Sequence, residues 1–341
     1  MKHEPFVTIV ILNWNGRRFL KDCLDSVFNL NYRNYNVILV DNASSDGSVE
    51  FVKKKYGKYI RTKKLKIVIN HKNLGFAEGN NVGIRKALKN KRVKYIVLLN
   101  NDTKVNKDWL KELVKVAERD EKVGIVQGKL LQFDGKTIDS TGIELYQSLI
   151  NTVDRGQGEI DVGQYDQECE IIAACAAGAL YRREMLEDVA MGGEYLDSDF
   201  FCTWEDTDIS FRALLKGWKI RYTPYAVMFH KRCATTGIAT PFSVYYLHRN
   251  NLWFVAKCIP TTIFLKYFIF FLLFNVISFG VFLTMRRKLF PAFVKAKLDS
   301  LRNLKKILRK RKRIMKNACV CTDEIERLIK KKFISPSFRL R

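Results

Sequence analysis

Three apolar runs in the first third of the chain each end in a short polar cluster. Val7-Thr8-Ile9-Val10-Ile11-Leu12 runs into Asn13-Trp14-Asn15-Gly16, Val37-Ile38-Leu39-Val40 into Asp41-Asn42, and Tyr95-Ile96-Val97-Leu98-Leu99 into Asn100-Asn101-Asp102. Runs of this length, with apolar positions at helical spacing between them, predict buried parallel strands joined by helices. The first such helix carries Phe19, Leu20, Cys23, Leu24, Val27 and Phe28 on one stripe. After the second strand, Ser44-Ser45-Asp46-Gly47 reads as a loop that starts a helix with Val49, Phe51 and Val52. A short strand is expected over 66–70 and a helix over 75–88. Gly79 and Gly83 weaken that helix, so they point to close backbone approach. The 95–100 strand, a helix near 109–116 and a strand over 124–131 complete a βαβαβ-rich half.

Residues 132–167 are rich in Gly, Asp and Gln and read as loops or short edge strands, and residues 171–181 form a run of small side chains that lets a ligand or strand pass closely. Helices are expected from Arg183 and over 210–216, the second closed by Gly217, then short strands over 220–222 and 226–229. Residues 259–285 turn strongly apolar. The uncharged stretch between Lys266 and Arg286 is barely the roughly 20 residues a bilayer requires. With basic residues on both flanks it reads as an interfacial or re-entrant segment, a single span and a core helix being the alternatives. A single span would put the globular domain and the basic tail on opposite faces.

The polar clusters fall just past the carboxyl ends of the strands, where open α/β sheets bind ligands. Asp41 and Asp102 at such edges fit one site that reads a nucleotide and holds a metal. Asp102 suits a hard divalent ion such as Mg2+ or Mn2+ that also takes substrate phosphates, or else it caps the turn that follows. Trp204-Glu205-Asp206-Thr207-Asp208 places three acids within four positions at a helix start, more than favourable dipole interaction needs, and one could serve as a general base. His230, at a strand end, is a metal-ligand candidate or a structural histidine. Arg249 could pair with a diphosphate or sit at an interface with its head in water. No G-x-G-x-x-G, Walker or G-x-S-x-G sequence accompanies the strands, which disfavours dinucleotide binding, P-loop chemistry and a serine nucleophile.

The chain has 341 residues, is 47% hydrophobic and 28% charged, and carries a formal net charge of +25. It is therefore a globular protein with a full core. Much of the positive charge lies beyond Arg286, where the only acids are Asp299, Asp323, Glu324 and Glu326; this favours an anionic surface as partner. Eight cysteines without a CxxC pair read as free thiols of a reducing compartment. Met1-Lys2-His3-Glu4-Pro5 leads straight into a core strand, so no cleavable signal peptide is expected.

These motifs in this order resemble the inverting glycosyltransferases of family 2, with the GT-A fold, and among them the rhamnosyltransferase-like members. The resemblance covers roughly residues 5–255 and also rests on Asn73-Leu74-Gly75-Phe76-Ala77-Glu78-Gly79-Asn80-Asn81, Ala177-Gly178-Ala179-Leu180-Tyr181 and Gly217-Trp218-Lys219-Ile220. It implies a Rossmann-like mixed sheet flanked by helices and a nucleotide-diphospho-sugar donor. Asp41 would bond the base, and Asn13 and Asn15 would border the nucleotide pocket together with Asn73, Gly75 and Asn80. Asn100-Asn101-Asp102 takes the place of the family's DxD, with Asp102 and His230 on the metal. Asp206 would be the base, with Glu205 or Asp208 in reserve, Gly178 would lie along the sugar and acceptor, and Arg249 would assist the diphosphate. His248-Arg249-Asn250-Asn251-Leu252-Trp253 departs from the Q-x-x-R-W of processive synthases, so one or a few sugars per acceptor are expected.

The expected organisation is a catalytic domain over 1–255, an apolar membrane-associated segment over 256–286 and a basic amphipathic tail over 287–341. The expected place is the cytoplasmic face of the cell membrane, with anionic lipids and a glycan or lipid-linked acceptor as partners and no nucleic acid. The competing readings are a nucleic-acid-binding protein with a phosphate-tracking tail and a catalytically inactive scaffold. Leu301, Leu304, Ile307 and Leu308 give the tail an amphipathic pattern that suits membranes better than nucleic acid.

Overall fold

The computed structural model describes residues 4–232 and 239–335; residues 1–3, 233–238 (with Cys233) and 336–341, the end of the basic tail, lie outside the described residues. The first half alternates strands and helices: β1 (Phe6–Asn13), α1 (Arg17–Phe28), β2 (Tyr35–Asp41), α2 (Ser48–Lys55), α3 (Gly57–Arg61) and β3 (Leu65–Ile69). Then come α4 (Gly75–Leu88), β4 (Val93–Asn100), β5 (Thr103–Val105), α5 (Trp109–Ala117) and β6 (Val123–Leu131). Short strands β7 (Ile138–Ser140), β8 (Ile143–Leu145), β9 (Thr152–Asp154) and β10 (Cys169–Glu170) lead to β11 (Gly178–Arg182), α6 (Arg183–Val189), α7 (Glu205–Leu215) and β12 (Lys219–His230). Helices α8 (Pro241–Cys258), α9 (Thr261–Thr284), α10 (Phe290–Arg302), α11 (Leu304–Lys316) and α12 (Thr322–Glu326) follow.

The main sheet has the order β10-β12-β6-β11-β4-β1-β2-β3. Strands β1 to β4 pair in parallel, as the apolar runs predict, whereas β11 runs antiparallel to both β4 and β6 and makes the sheet mixed. Both faces are covered. Val7, Ile9 and Ile11 of β1 pack with Leu20, Leu24 and Leu110 on one side, while Val10 packs with Ala77 and Ile84 of α4 on the other. Here the expected close approach is real: a Cβ on Gly83 would meet Val10 Cγ1 at 2.3 Å, and one on Gly79 would meet Leu12 Cδ1 at 2.6 Å.

Three expectations change. The strands expected over 220–222 and 226–229 are one strand, whose register with β6 shifts between Tyr222 and Val227. Pro224 lies in that gap and has no N–H to give the ladder. The helix expected from Ser210 begins at Glu205, so its first turn carries Glu205, Asp206 and Asp208. The apolar segment is an unbroken helix of 24 residues, which rules out a re-entrant loop.

Residues 290–335 fold back against the α/β body. Helices α10 and α11 pack on α8, and α11 also reaches α7. Lys310 pairs with Asp197 and Asp199, both at 2.6 Å, and Lys306 with Asp199 at 2.5 Å. The chain end joins the β8–β9 region through Lys330 N donating to Leu145 O and Gln147 N to Lys332 O. The seven described cysteines are all free, with Cys23 and Cys258 buried and Cys319 and Cys321 exposed.

Candidate active site

The parallel strands end level with one another. Asn13 is in register with Asp41, and Leu12 with Asn100, so the polar clusters converge on one edge of the sheet. A cleft of about 490 Å³ opens there, lined among others by Asn101, Asp102, His230, Glu205 and Asp206.

A chain of amides braces its rim. Asn101 Nδ2 donates to Asn13 Oδ1 at 2.7 Å, and Asn13 Nδ2 donates to Asp41 Oδ2 at 2.9 Å. Asp41 Oδ1 accepts from Ser44 N at 2.8 Å, which leaves the buried carboxylate with spare lone pairs. Asn15, at φ 49°, accepts from Ser45 N at 2.8 Å and fixes the loop beside Trp14, which lines the cleft. Asn73 and Gly75 also line it; Asn73 Oδ1 accepts from Gly75 N at 2.9 Å.

Asn13, Asn15 and Asp41 are not themselves in the lining but stand behind or beside it, and three further residues expected at the site are placed elsewhere. Asn80 is buried within α4 and donates to Phe76 O at 3.0 Å. A Cβ on Gly178 would strike Met228 Sδ at 2.1 Å, so its smallness serves strand packing, while Cys175, Ala176 and Ala177 just before it line the cleft. Arg249 is buried: its Nη2 donates to Asp199 O at 2.8 Å and Phe200 O at 3.1 Å, and its guanidinium lies 4.2 Å from the Trp253 ring centroid. Arg249 therefore holds a loop and is not part of the cleft lining.

At the metal end, His230 Nε2 lies 3.5 Å from Asp102 Oδ1, and His230 Nδ1 donates to Asp139 Oδ2 at 2.9 Å. Burial disfavours the imidazolium, yet Asp102 and Asp139 outweigh it and raise His230 to about 9. The pocket is thus built for positive charge between Asp102 and the ring. An oxygen and an imidazole nitrogen backed by a second carboxylate form a donor pair that fits Mn2+ or Mg2+. No cluster of three or more His, Cys, Asp or Glu ligands occurs among the described residues, so substrate phosphates and water would complete such a shell.

The acids at the start of α7 divide by direction. Asp206, partly exposed at the cleft, accepts from Thr207 N at 2.7 Å. Desolvation, with Asp154 adding repulsion, raises its pKa to about 6 against the pull of the Thr207 and Ala176 backbone amides. Glu205 also lines the cleft; burial raises it well above the usual range, and its Oε2 has no hydrogen-bond partner. Asp208 points into the body, where it meets Lys257 Nζ at 2.6 Å and Arg212 Nε at 2.9 Å. Of the two reserve acids, only Glu205 is at the cleft.

The loop that delivers these acids is strained. Phe201, Thr203 and Trp204 have φ of 64°, 64° and 74°, values that disfavour side chains. Asn250 Nδ2 holds it by donating to Phe200 O, Cys202 O and Thr203 O at 2.8 to 3.0 Å. Asp139, Asp154 and Arg232 are further site residues that sequence reasoning missed. Arg232 bridges Asp139, at 2.7 Å, and Asp154, and both Arg232 and Asp154 line the cleft.

The profile described as "Glycosyl transferase family 2" matches residues 8–190, more than half of the chain. The chain belongs to glycosyl transferase family 2. Among curated relatives of this glycosyltransferase, poly-beta-1,6-N-acetyl-D-glucosamine synthase of Staphylococcus aureus is 24% identical over 223 residues, 65% of this chain and 48% of the relative. The chain thus spans about half the length of that synthase. Among solved structures it is similar to GalNAc-T7 with UDP, GalNAc and Mn2+ (TM-score 0.60, 16% identity, 80% of this chain and 50% of that one). It is likewise similar to S. aureus TarS 1–349 with UDP-GlcNAc (0.54, 15%, 91% and 90%) and to the mannosyltransferase PcManGT from Pyrobaculum calidifontis with GDP-Man and Mn2+ (0.53, 16%, 93% and 88%). The fold is that of the GT-A glycosyltransferases.

Proposed function

We propose that the protein moves a sugar from a nucleotide-diphospho-sugar to an acceptor hydroxyl with inversion at the anomeric carbon. The acceptor is a lipid-linked glycan or cell-surface polysaccharide precursor at the cytoplasmic face of the cell membrane. The observation that carries this reading is that Asp206 and the Asp102–His230 pair line one cleft. Asp206 takes the acceptor proton as that oxygen bonds to the anomeric carbon and the bond to the diphosphate breaks. Burial and repulsion from Asp206 disfavour a second charge on Glu205 beside the base. Asp41 and the braced Asn13–Asn101 rim receive the nucleoside beside Trp14. Asp102 and His230 would hold Mg2+ or Mn2+, which supplies positive charge for the departing diphosphate.

The membrane part of the proposal is supported by Thr261–Thr284, a helix long and apolar enough to cross a bilayer and only 22% buried over its most apolar window. Its exposed apolar face favours lipid over the nucleic-acid reading. The test is nucleoside diphosphate release from a panel that includes rhamnose, N-acetylglucosamine and mannose donors, rhamnose being the sugar the sequence resemblance favours. Release that needs Mn2+ or Mg2+ and stops with EDTA is expected. Absence of both release and donor binding would sink the proposal.

A further inference from the structure

Helix α9 has two faces along its whole length. Ile263, Tyr267, Phe274, Ser278 and Phe282 form a buried stripe. On the other side Leu265, Phe268, Ile269, Leu272, Val276, Phe279 and Leu283 follow at helical spacing and are 45% to 68% exposed. Apolar surface of this extent is uncommon on soluble monomers.

The buried stripe is anchored to the body at three stations. Near the start, Tyr267 Oη donates to Glu326 at 2.8 Å; in the middle, Phe274 meets Phe333 at 6.3 Å and Asn275 Oδ1 accepts from Lys297 at 2.8 Å. Near the end, Phe282 stacks on Phe293 at 4.6 Å and meets His248 of α8 at 5.0 Å. The helix therefore doubles back along the body, its far end close to Val244 on α8, two residues from the cleft-lining Phe242. A spanning helix of 24 residues, about 36 Å long, would leave its far end across the bilayer. Here residues 290–335 return to the catalytic body instead.

We infer that α9 is an in-plane membrane anchor: it lies flat on an anionic bilayer with its outer stripe in the lipid, and both of its ends stay on the same side. Charge selects lipid over a second copy of the chain. Between residues 287 and 316 the single acid is Asp299; Lys306 and Lys310 are taken by Asp199 and Asp197, but Arg287, Lys288, Lys305, Arg309, Lys312 and Arg313 are exposed, so anionic headgroups attract the segment that follows α9 while a second copy repels it. The inference rests on the membrane part of the proposed function and on none of its sugar chemistry.

The test is depth. Leu265→Cys, Leu272→Cys, Val276→Cys and Leu283→Cys, one at a time in the full chain with Cys319→Ser and Cys321→Ser, would carry a bimane fluorophore. Each is bound to phosphatidylglycerol–phosphatidylcholine vesicles whose lipids bear a nitroxide at a shallow or a deep acyl position. The same shallow-to-deep quenching ratio at all four sites is expected. Deep quenching at Leu272 and Val276 with shallow quenching at Leu265 and Leu283 would mean a span, and no quenching at any site would mean a protein contact; either overturns the inference. Depth is read without donor or acceptor, so this result and the transfer assay fail independently.

Discussion

Asp206 and Asp208 stand two residues apart in the first turn of α7, yet one faces the cleft and the other is locked between Lys257 and Arg212. The half-turn of helix between them separates chemistry from architecture. Asp208→Asn should cost about 3–5 kcal/mol by leaving two buried cations short of a partner. Asp206→Asn should leave the melting temperature nearly unchanged. Calorimetric melting of both variants checks the pair.

The raised pKa of Asp206 sets the pH dependence of transfer. Below about 6 the carboxyl is protonated and too weak a base to take the acceptor proton, so kcat/KM should fall tenfold per pH unit on the acid side and level off above. A pH–rate profile at saturating metal, flat through that region, would contradict this.

Asp139 contacts His230 through the ring nitrogen that faces away from Asp102. Asp139→Asn removes the charge that orients and enriches the imidazole and should weaken Mn2+ affinity about 10- to 100-fold. Calorimetric titration of Mn2+ with nucleoside diphosphate present measures it. His230→Ala should weaken binding at least as much.

Asn250 touches three carbonyls of a loop whose backbone is strained at Phe201, Thr203 and Trp204. Asn250→Ala leaves those buried acceptors unmet, at about 1–3 kcal/mol, and frees the segment that aims Asp206. Turnover should fall while donor affinity is retained, and hydrogen exchange should quicken over residues 200–204.

Asp41, Asp102 and Asp206 stood out as candidates in sequence because each sits where an apolar run stops or a helix starts, and both boundaries have a clear pattern. Asp139 and Asp154 were not. They lie in the polar, Gly-rich stretch over 132–167, whose strands of three residues are too short to show a period even though each pairs with a near neighbour in the chain. Arg249 shows a different limit: charge type alone says nothing of direction, and its guanidinium turned inward to a loop. The run of small residues before β11 does border the cleft, but which of them face it depends on strand register, which places Cys175, Ala176 and Ala177 in the lining and Gly178 in the sheet. The apolar helix was visible as composition; that the tail returns to the body required the long-range contacts of Lys306, Lys310 and Lys330.

The most direct measurement is single-turnover transfer by the native chain and by Asp206→Asn, with donor binding followed in the same samples. The account predicts at least about a 100-fold loss of transfer with donor affinity unchanged, the scale expected for a removed general base. Full turnover by Asp206→Asn would contradict it.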